Sequence, residues 1–285
     1  MYVGYNTNGF AHHRIDDAIS ILADLGYEGI GLTLDHGVLN PLDANRLKEA
    51  ERIRGLLEKR RLKVVIETGA RFLLDPRHKH QPTLLSPTPE LRQRRLRFLE
   101  TCVELARVIG AEAVSFWSGS AIDDASEETL WQRLTQGCRS LMAEAAVYGV
   151  PLAFEPEPGM FIDTLSRFGE FEQRLGETPL GLALDLGHLH CQGEIPIADR
   201  IREWGDRIRV VHIEDMREGI HDHLRFGEGD MRFPPILAAL RDMNYQGGIF
   251  VELSRHGHDA VRTAEHSFEF LKQMMSKGAL GVGKR

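Results

Sequence analysis

Residues 150–155 read VPLAFE, an apolar run that ends in a carboxylate, and three later stretches resemble it. They are LGLALD at residues 180–185, IRVVHI at residues 208–213 and GIFVEL at residues 248–253. Short, nearly continuous apolar runs are typical of parallel strands that are buried on both faces of a sheet. The four runs therefore predict parallel strands, each with an ionisable side chain near its end.

Outward from these runs, apolar stretches alternate with amphipathic helical patterns, which predicts eight strand–helix units. The strands are expected at residues 2–5, 29–34, 62–67, 113–117, 150–155, 180–185, 208–213 and 248–253. The helices are expected at residues 15–25, 47–59, 90–109, 130–148, 166–175, 198–204, 235–243 and 259–275. Eight such units predict a (β/α)8 barrel, an α/β fold. An open doubly wound sheet is the alternative, but no Gly-x-Gly-x-x-Gly follows the first strand, which disfavours its dinucleotide-binding form.

The chain length of 285 residues fits one barrel of about 250 residues better than two average domains. We therefore expect a single barrel domain over residues 1–275 and a flexible tail over residues 276–285, which are rich in Gly and Lys. Residues 68–89 contain four prolines and form a long loop after the third strand. Loops of this length are usually functional.

The composition argues against several classes of protein. No apolar run approaches the roughly 20 residues of a membrane helix, and no secretory signal is visible at the first residues. The three cysteines, Cys102, Cys138 and Cys191, are odd in number and widely spaced, which argues against a disulfide framework and favours the cytoplasm. The net charge of −7 disfavours nucleic acid as a partner, because DNA affinity depends on neutralising phosphates.

The predicted strand ends carry the most informative pattern. Glu155, Asp185, His212 and Glu252 lie at the ends of four successive strands. In a (β/α)8 barrel these ends meet at one rim, where active sites lie. Each residue alone could cap a helix or form a salt bridge, but all four together favour a divalent metal site. An oxygen-rich set with one imidazole suits Mn2+, Mg2+ or Co2+ best, and Zn2+ also accepts such ligands.

A series of short motifs adds a family resemblance that covers essentially the whole chain. The motifs are LGYEG at residues 25–29, Glu155 followed by Pro156, Asp185-x-x-His188, His212-x-x-Asp215, GEG at residues 227–229, and YQGG at residues 245–248 before VE at residues 251–252. In this order they resemble the sugar isomerase/epimerase superfamily with the xylose-isomerase-like TIM barrel, which includes ketose 3-epimerases, hydroxypyruvate isomerase and inosose dehydratase. The resemblance implies Glu155, Asp185, His212 and Glu252 as ligands of one metal ion, and Glu155 and Glu252 as the proton-transfer pair.

The function implied by the resemblance is that of a metal-dependent isomerase or epimerase of a small sugar or hydroxy-carbonyl compound, in carbohydrate metabolism. A cation that binds a carbonyl and the adjacent hydroxyl stabilises an enediolate, so that one glutamate removes a proton and the other returns it. A dehydratase or lyase with the same first step is an open alternative. The relatives also imply a small-molecule substrate, and homodimers or homotetramers are common among them.

Four further residues are expected to contact substrate. The resemblance gives this role to His188, whose alternative is a histidine bonded to backbone in a turn. Trp117 ends the fourth strand, where it could be an apolar platform for a sugar ring or a core residue. Glu67 at the end of the third strand and Arg225 after the seventh could reach substrate oxygens, or could be paired or solvated. Glu157 is expected in the loop rather than in the site.

Two less favoured functions stay open: a phosphodiesterase similar to endonuclease IV, which shares the fold, and a sugar-binding barrel without turnover. Endonuclease IV members place an Asp-x-His pair in the loop after the seventh strand for an additional metal. Here the loop contains His221, Asp222 and His223, so the aspartate is directly followed by histidine, and Thr68 stands where the nuclease pattern has a histidine after the third strand. The three-metal pattern is therefore incomplete, and residues 221–223 have no assigned role.

Overall fold

The computed structural model describes residues 1–176 and 179–280. Its strands are β1 (Tyr2–Asn6), β2 (Gly29–Thr33), β3 (Lys63–Glu67), β4 (Val114–Phe116), β5 (Leu152–Phe154), β6 (Gly181–Asp185), β7 (Ile208–Ile213), β8 (Asp215–Arg217), β9 (Ile220–Leu224) and β10 (Gly248–Val251). Eight of them close a parallel barrel in the order β1, β10, β7, β6, β5, β4, β3, β2. The other two, β8 and β9, form an antiparallel hairpin after β7. The prediction of a (β/α)8 barrel is confirmed.

Nine α-helices of the described residues follow or connect the strands, and several of them have capping residues at their ends. They are α1 (Ile15–Leu25), α2 (Arg46–Arg60), α3 (Pro89–Ile109), α4 (Glu127–Tyr148), α5 (Leu165–Leu175), α6 (Leu186–Cys191), α7 (Ile197–Trp204), α8 (Phe233–Asp242) and α9 (Ala260–Leu280). The Thr88 hydroxyl caps α3 by accepting the Leu91 N–H, and Pro89 occupies the first turn. Gly26 ends α1 in the left-handed conformation, with φ of 103°. No helix among the described residues is long and apolar enough to cross a membrane.

Sequence periodicity misses two short elements, α6 and the β8–β9 hairpin. α6 has only six residues, too few for a helical repeat of apolar positions to show. The hairpin is rich in charged residues and histidines and largely lacks apolar alternation. At the other end of the chain α9 continues to Leu280, so the expected flexible tail is helical over residues 276–280. Residues 281–285 lie outside the described residues.

A small apolar cluster fills the barrel in its amino-terminal half. It consists of Tyr2, Val65, Ala113, Ala153, Ala183, Val210 and Phe250. The large Phe250 ring fits because Gly4 faces it, and a Cβ at Gly4 would lie 2.3 Å from the ring. This apolar plug confines the buried polar groups of the barrel to the carboxyl ends of the strands.

The long loop of residues 68–88 is fastened at its start by a buried arginine. Arg95 of α3 donates from Nη2 to the carbonyl of Thr68 at 3.0 Å. The same guanidinium stacks on the ring of Trp117, 4.5 Å from its centroid. The loop that follows β3 and the residue that follows β4 are thereby held at one end of the barrel.

The larger core lies between the sheet and the helices, and its aromatic residues predict a large effect of truncation. Phe168 of α5 stacks on Phe154 of β5 with ring centroids 5.7 Å apart, and lies 5.4 Å from Trp204 of α7. We expect Phe168→Ala to lower the free energy of unfolding by about 3–5 kcal/mol, through lost burial and the cavity that remains. Urea unfolding measures the change. Val147→Ala, at a position that is 80% exposed, is the control and should change stability by less than about 0.5 kcal/mol.

Candidate functional site

The carboxyl ends of β5, β6, β7 and β10 bring the four predicted metal ligands together. Glu155, Asp185, His212 and Glu252 offer donor atoms that all lie within 4.8 Å of one another. Asp185 and His212 are paired in the register between β6 and β7. The His212 side chain is completely buried, whereas that of Glu252 is 19% exposed. Residues far apart in sequence form one cluster because parallel strands end at the same rim.

His212 lies at the centre of this cluster, and its two ring nitrogens face different carboxylates. Nδ1 lies 3.0 Å from Oε1 of Glu155 and 3.5 Å from Oε2 of Glu252. Nε2 lies 3.0 Å from Oε1 of Glu67, on the other side of the ring. A proton on Nε2 that is donated to Glu67 leaves the Nδ1 lone pair facing the cluster, as in metal-binding histidines. Glu67, expected to contact substrate, is thus placed to orient His212.

Amide and hydroxyl donors hold the two glutamates of the cluster. The side chains of Asn6 and Asn8 donate to the two oxygens of Glu252, at 3.1 and 2.9 Å. Ser115 donates to Oε2 of Glu155 at 3.4 Å. Both carboxylates therefore have fixed orientations before any ligand binds.

The two carboxylate oxygens of Asp185 have different surroundings: one caps a helix and the other is available to a ligand. Oδ1 accepts the backbone N–H of His188 at 2.8 Å and so caps the first turn of α6. Oδ2 is buried and has no hydrogen-bond partner among the residues that the structure describes. A buried carboxylate oxygen without a partner is costly, which suggests that a ligand satisfies it.

Burial and close charges shift the pKa values of the cluster. Burial raises the pKa of Glu155 to about 7, against the opposing effect of His212. Burial opposes the charged form of His212, but Glu67 and Glu155 outweigh it and raise the pKa of His212 well above its usual range. Burial likewise opposes ionisation of Asp185, but His188 and the neighbouring histidines hold the pKa of Asp185 below its usual range.

The donor set fits one divalent cation. Three carboxylates converge with one imidazole, and their ion pairs within the described chain involve histidines and no Lys or Arg. Like charges at this separation repel one another unless a cation lies between them. Oxygen-rich sets with one imidazole accept Mn2+, Mg2+ or Co2+ as well as Zn2+.

A cavity of about 170 Å3 opens over the cluster. Glu155, Glu252, Glu67 and Trp117 all line it, as the strand ends predict. Trp117 is buried except for 7% of its surface, with Arg95 packed on its ring. The indole therefore has a fixed position on the cavity wall.

Two residues that were expected to contact substrate do not line this cavity. His188 is buried behind His221, with their Nε2 atoms 3.1 Å apart, and it does not line the cavity. Arg225 also lies off the cavity wall, and its Nη2 is 3.5 Å from Oδ2 of Asp259. Both positions depend on the β8–β9 hairpin, because His221 belongs to it and Arg225 directly follows it.

Glu157, His221 and His223 are among the residues of the cavity wall that sequence reasoning misses. Glu157 lies in the loop after β5, as expected, but its Oε2 is 3.8 Å from Nδ1 of His188, and burial and Glu155 raise its pKa well above the usual range. His221 and His223 are two positions apart on β9 and therefore lie on one face of it. The H-x-H spacing is the signal for such a pair, but only where a strand is predicted.

Comparison with known proteins is consistent with this architecture. The sequence profile of the family described as Xylose isomerase-like TIM barrel matches residues 19–274. The chain is similar to inosose dehydratase from Clostridium perfringens, with 29% identity over 142 residues, 44% of this chain and 48% of that protein. It is also similar to the putative L-ribulose-5-phosphate 3-epimerase SgbU from Escherichia coli, with 24% identity over 57% of this chain and 59% of that protein. The chain thus spans about half the length of these curated relatives.

Solved structures share the fold over nearly the whole chain. A D-tagatose 3-epimerase-like protein superposes with a TM-score of 0.80 and 17% identity, over 99% of this chain and 100% of that one. The IOLI protein with a bound zinc atom superposes with a TM-score of 0.78 and 16% identity, over 97% of this chain and 99% of that one. At these identities the similarity concerns the fold alone.

The contact between Glu67 and His212 predicts that Glu67→Gln weakens metal binding by about 10–100-fold, because an amide holds the Nε2 proton less strongly than a carboxylate. Calorimetric titration of the metal-stripped protein with Mn2+ or Zn2+ measures this. Glu112→Gln is the matched control, since Glu112 bonds to the Tyr2 hydroxyl at the opposite end of the barrel. Equal affinities of Glu67→Gln and the unaltered protein would contradict the orienting role.

The pKa of Glu155 predicts that metal binding weakens as the pH falls through about 7. Below that pKa the metal-free carboxyl is protonated, and a cation must displace the proton. For one displaced proton the affinity falls about tenfold per pH unit below 7. Calorimetry at about pH 6 in two buffers of different ionisation enthalpy counts the protons released. We expect at least one; release of none would contradict the prediction.

Proposed function

Since the chain belongs to the xylose isomerase-like TIM barrel family, we propose that it is a metal-dependent isomerase or epimerase of a small sugar or hydroxy-carbonyl compound. The observation that carries the proposal is the placement of Glu155 and Glu252. Both line the cavity, and both lie beside the same nitrogen of His212, at 3.0 and 3.5 Å. Two carboxylates on one small cavity form a pair that can remove and return a proton.

The proposed metal ligands are Glu155, Asp185, His212 and Glu252, whose donor set accepts one divalent ion. When bound, the cation supplies the positive charge that acidifies a C–H beside a carbonyl and stabilises the enediolate that follows. Glu67 keeps His212 in the tautomer that this role needs. The proton transfers are carried out by glutamate side chains of the protein.

One glutamate takes the proton from the substrate carbon, and the electron pair of the broken C–H bond forms the C=C bond of the enediolate. The other glutamate returns a proton, to the neighbouring carbon in an isomerase or to the opposite face of the same carbon in an epimerase. A pKa of about 7 suits Glu155 to both directions of transfer near neutral pH. Asn6 and Asn8 hold Glu252 in one orientation for its part of the transfer.

The cavity supports a small substrate. Its volume of about 170 Å3 is below the roughly 300–1,000 Å3 of sites for drug-sized ligands. Trp117 offers an apolar face for the carbon skeleton, while Thr33 and Ser115 offer hydroxyls on the same wall. The mixed wall suits a polyhydroxylated compound with one less polar face.

A dehydratase is the second candidate, and Glu157 favours it. This side chain lines the cavity, and burial and Glu155 raise its pKa well above the usual range, which favours the protonated carboxyl. A protonated carboxyl near the enediolate can protonate a β-hydroxyl, which then leaves as water. Similarity to inosose dehydratase is in keeping with this outcome.

The proposed proton transfer predicts that Glu252→Gln lowers the rate at which a carbon-bound substrate proton exchanges with deuterated water by at least about 100-fold. Mass spectrometry of ketoses, inososes and hydroxypyruvate incubated with the protein in D2O measures the exchange and identifies the substrate. Glu265→Gln, at an exposed position of α9, is the matched control.

Metal content is measured on the same samples, because Glu252 is also a proposed ligand. Exchange at the unaltered rate in Glu252→Gln would remove Glu252 from proton transfer. Loss of water elimination in Glu157→Gln, with exchange of the carbon-bound proton retained, would assign the dehydratase reaction.

A further inference from the structure

The long loop after β3 brings one further histidine to the cavity. His80 lines the cavity wall together with Glu155 and Trp117. The geometry points to His80 as a substrate-binding residue, whose Nε2 accepts a hydrogen bond from a hydroxyl group of the substrate. The inference rests on the proposed function only in taking this cavity to be the substrate site.

A backbone carbonyl determines which ring nitrogen of His80 carries a proton. Nδ1 is hydrogen-bonded to the carbonyl oxygen of Gly69, and because a carbonyl only accepts, Nδ1 donates. Burial lowers the pKa of His80 to about 4, so the ring holds a single proton at neutral pH, the one on Nδ1. Nε2 is then an acceptor, and it has no hydrogen-bond partner among the residues that the structure describes.

The backbone on both sides of this hydrogen bond is strained. Ala70, Arg71 and His80 have positive φ angles of 57°, 23° and 66°. Only glycine adopts such angles without steric cost, and residues held in them cluster at functional sites. The N–H of His80 donates to the carbonyl of Arg71 at 2.6 Å, so the two strained segments are joined directly. Two hydrogen bonds of one histidine therefore close the loop over residues 69–80.

Aromatic packing fixes the imidazole from a second direction. The rings of His80 and Trp117 lie edge to face, with centroids 5.2 Å apart and an interplanar angle of 83°. Trp117 is held in turn by the guanidinium of Arg95, which is buried except for 1% of its surface. A stack that runs from a buried arginine to the cavity leaves His80 few alternative positions. The Nε2 acceptor is therefore preorganised, which reduces the entropy cost of binding a ligand.

The hydrogen-bonding character of this part of the wall indicates the group that His80 binds. Arg71 and Lys79 line the same cavity and can only donate, whereas the unprotonated Nε2 of His80 can only accept. A hydroxyl group suits both kinds of partner, because its O–H donates and its oxygen accepts. A carboxylate or a phosphate dianion has only acceptor oxygens and would face the Nε2 lone pair unfavourably. A methylene group would leave Nε2 without a partner.

The barrel order indicates which substrate hydroxyl is meant. The proposed metal ligands follow or end β5, β6, β7 and β10, which are consecutive in the closed barrel. His80 belongs to the loop after β3 and packs on Trp117, which directly follows β4. It therefore comes from the half of the rim that supplies none of the four ligands. We expect His80 to bind a hydroxyl other than the one beside the carbonyl that the cation binds.

Two substitutions at His80 separate binding of substrate from support of the loop. His80→Asn keeps an amide donor near the position of Nδ1 and loses Nε2, and asparagine tolerates a positive φ well. His80→Gln can place an amide oxygen near the position of Nε2. We expect His80→Asn to lower the affinity for a hydroxylated probe about 3–10-fold, as for one lost hydrogen bond between neutral groups. His80→Gln should restore it to within about threefold.

NMR titration of the Mg2+-loaded protein measures these affinities, with D-fructose, D-tagatose and inososes as probes. The probe that binds most tightly is then compared with each of its monodeoxy derivatives. One derivative should bind the unaltered protein and His80→Asn equally well, because it lacks the hydroxyl that Nε2 accepts from. His78→Asn is the matched control: His78 lies in the same loop, its side chain is 70% exposed and pairs with Asp75, and its replacement should leave every affinity unchanged.

A readout on the unaltered protein needs no variant to fold. The 15N resonance of Nε2 of His80 should move upfield when the probe binds, because this nitrogen then accepts a hydrogen bond. An unmoved resonance, equal affinities of His80→Asn and the unaltered protein for all probes, or no binding of any probe would overturn the inference. Deuterium exchange without an effect of His80→Asn on affinity would overturn it while the proposed function stands. Affinity that depends on Nε2, without exchange in the unaltered protein, would overturn the proposed function alone.

Discussion

The balance of charge around one buried imidazole is the constraint on which the rest of the site depends. His212 lies between Glu67 on one side and Glu155 and Glu252 on the other, at distances of 3.0 to 3.5 Å. Carboxylates that share a buried space repel one another, and one imidazolium compensates only one of them. In the absence of a compensating cation the arrangement therefore opposes folding, which is typical of sites kept for function at the expense of stability.

The barrel supplies the stability that this cluster lacks. Apolar side chains fill its amino-terminal half around Phe250, and large aromatic residues such as Phe168 pack between the sheet and the helices. Ionisable groups concentrate at the carboxyl end, where they extend to the completely buried Glu214. Because the strands are parallel, one end of the sheet can be apolar while the other collects polar groups from many strands. Such separation lets a strained polar site coexist with a well-packed core.

The parts that could be predicted from sequence depend on local patterns. A short apolar run in the sequence indicates each barrel strand. The residue at the end of a run lies at the rim of the barrel. Glu155, Asp185, His212 and Glu252 could therefore be identified together as rim residues. The role of Glu67 could not be predicted from the sequence, because its contact with His212 joins residues 145 positions apart. The positions of His188 and Arg225 could not either, because both depend on a hairpin without a clear apolar alternation.

The amino-acid sequence by itself determined the barrel and the four side chains that converge at its rim. Both follow from the period of apolar residues along each strand and from the rule that parallel strands end together. Only the tertiary structure decided which nitrogen of His212 faces the cluster, and that His221 and His223 meet His188. Hydrogen-bond direction and charge compensation depend on distances of about 3 Å between side chains from different elements, and no local pattern in a chain encodes such distances.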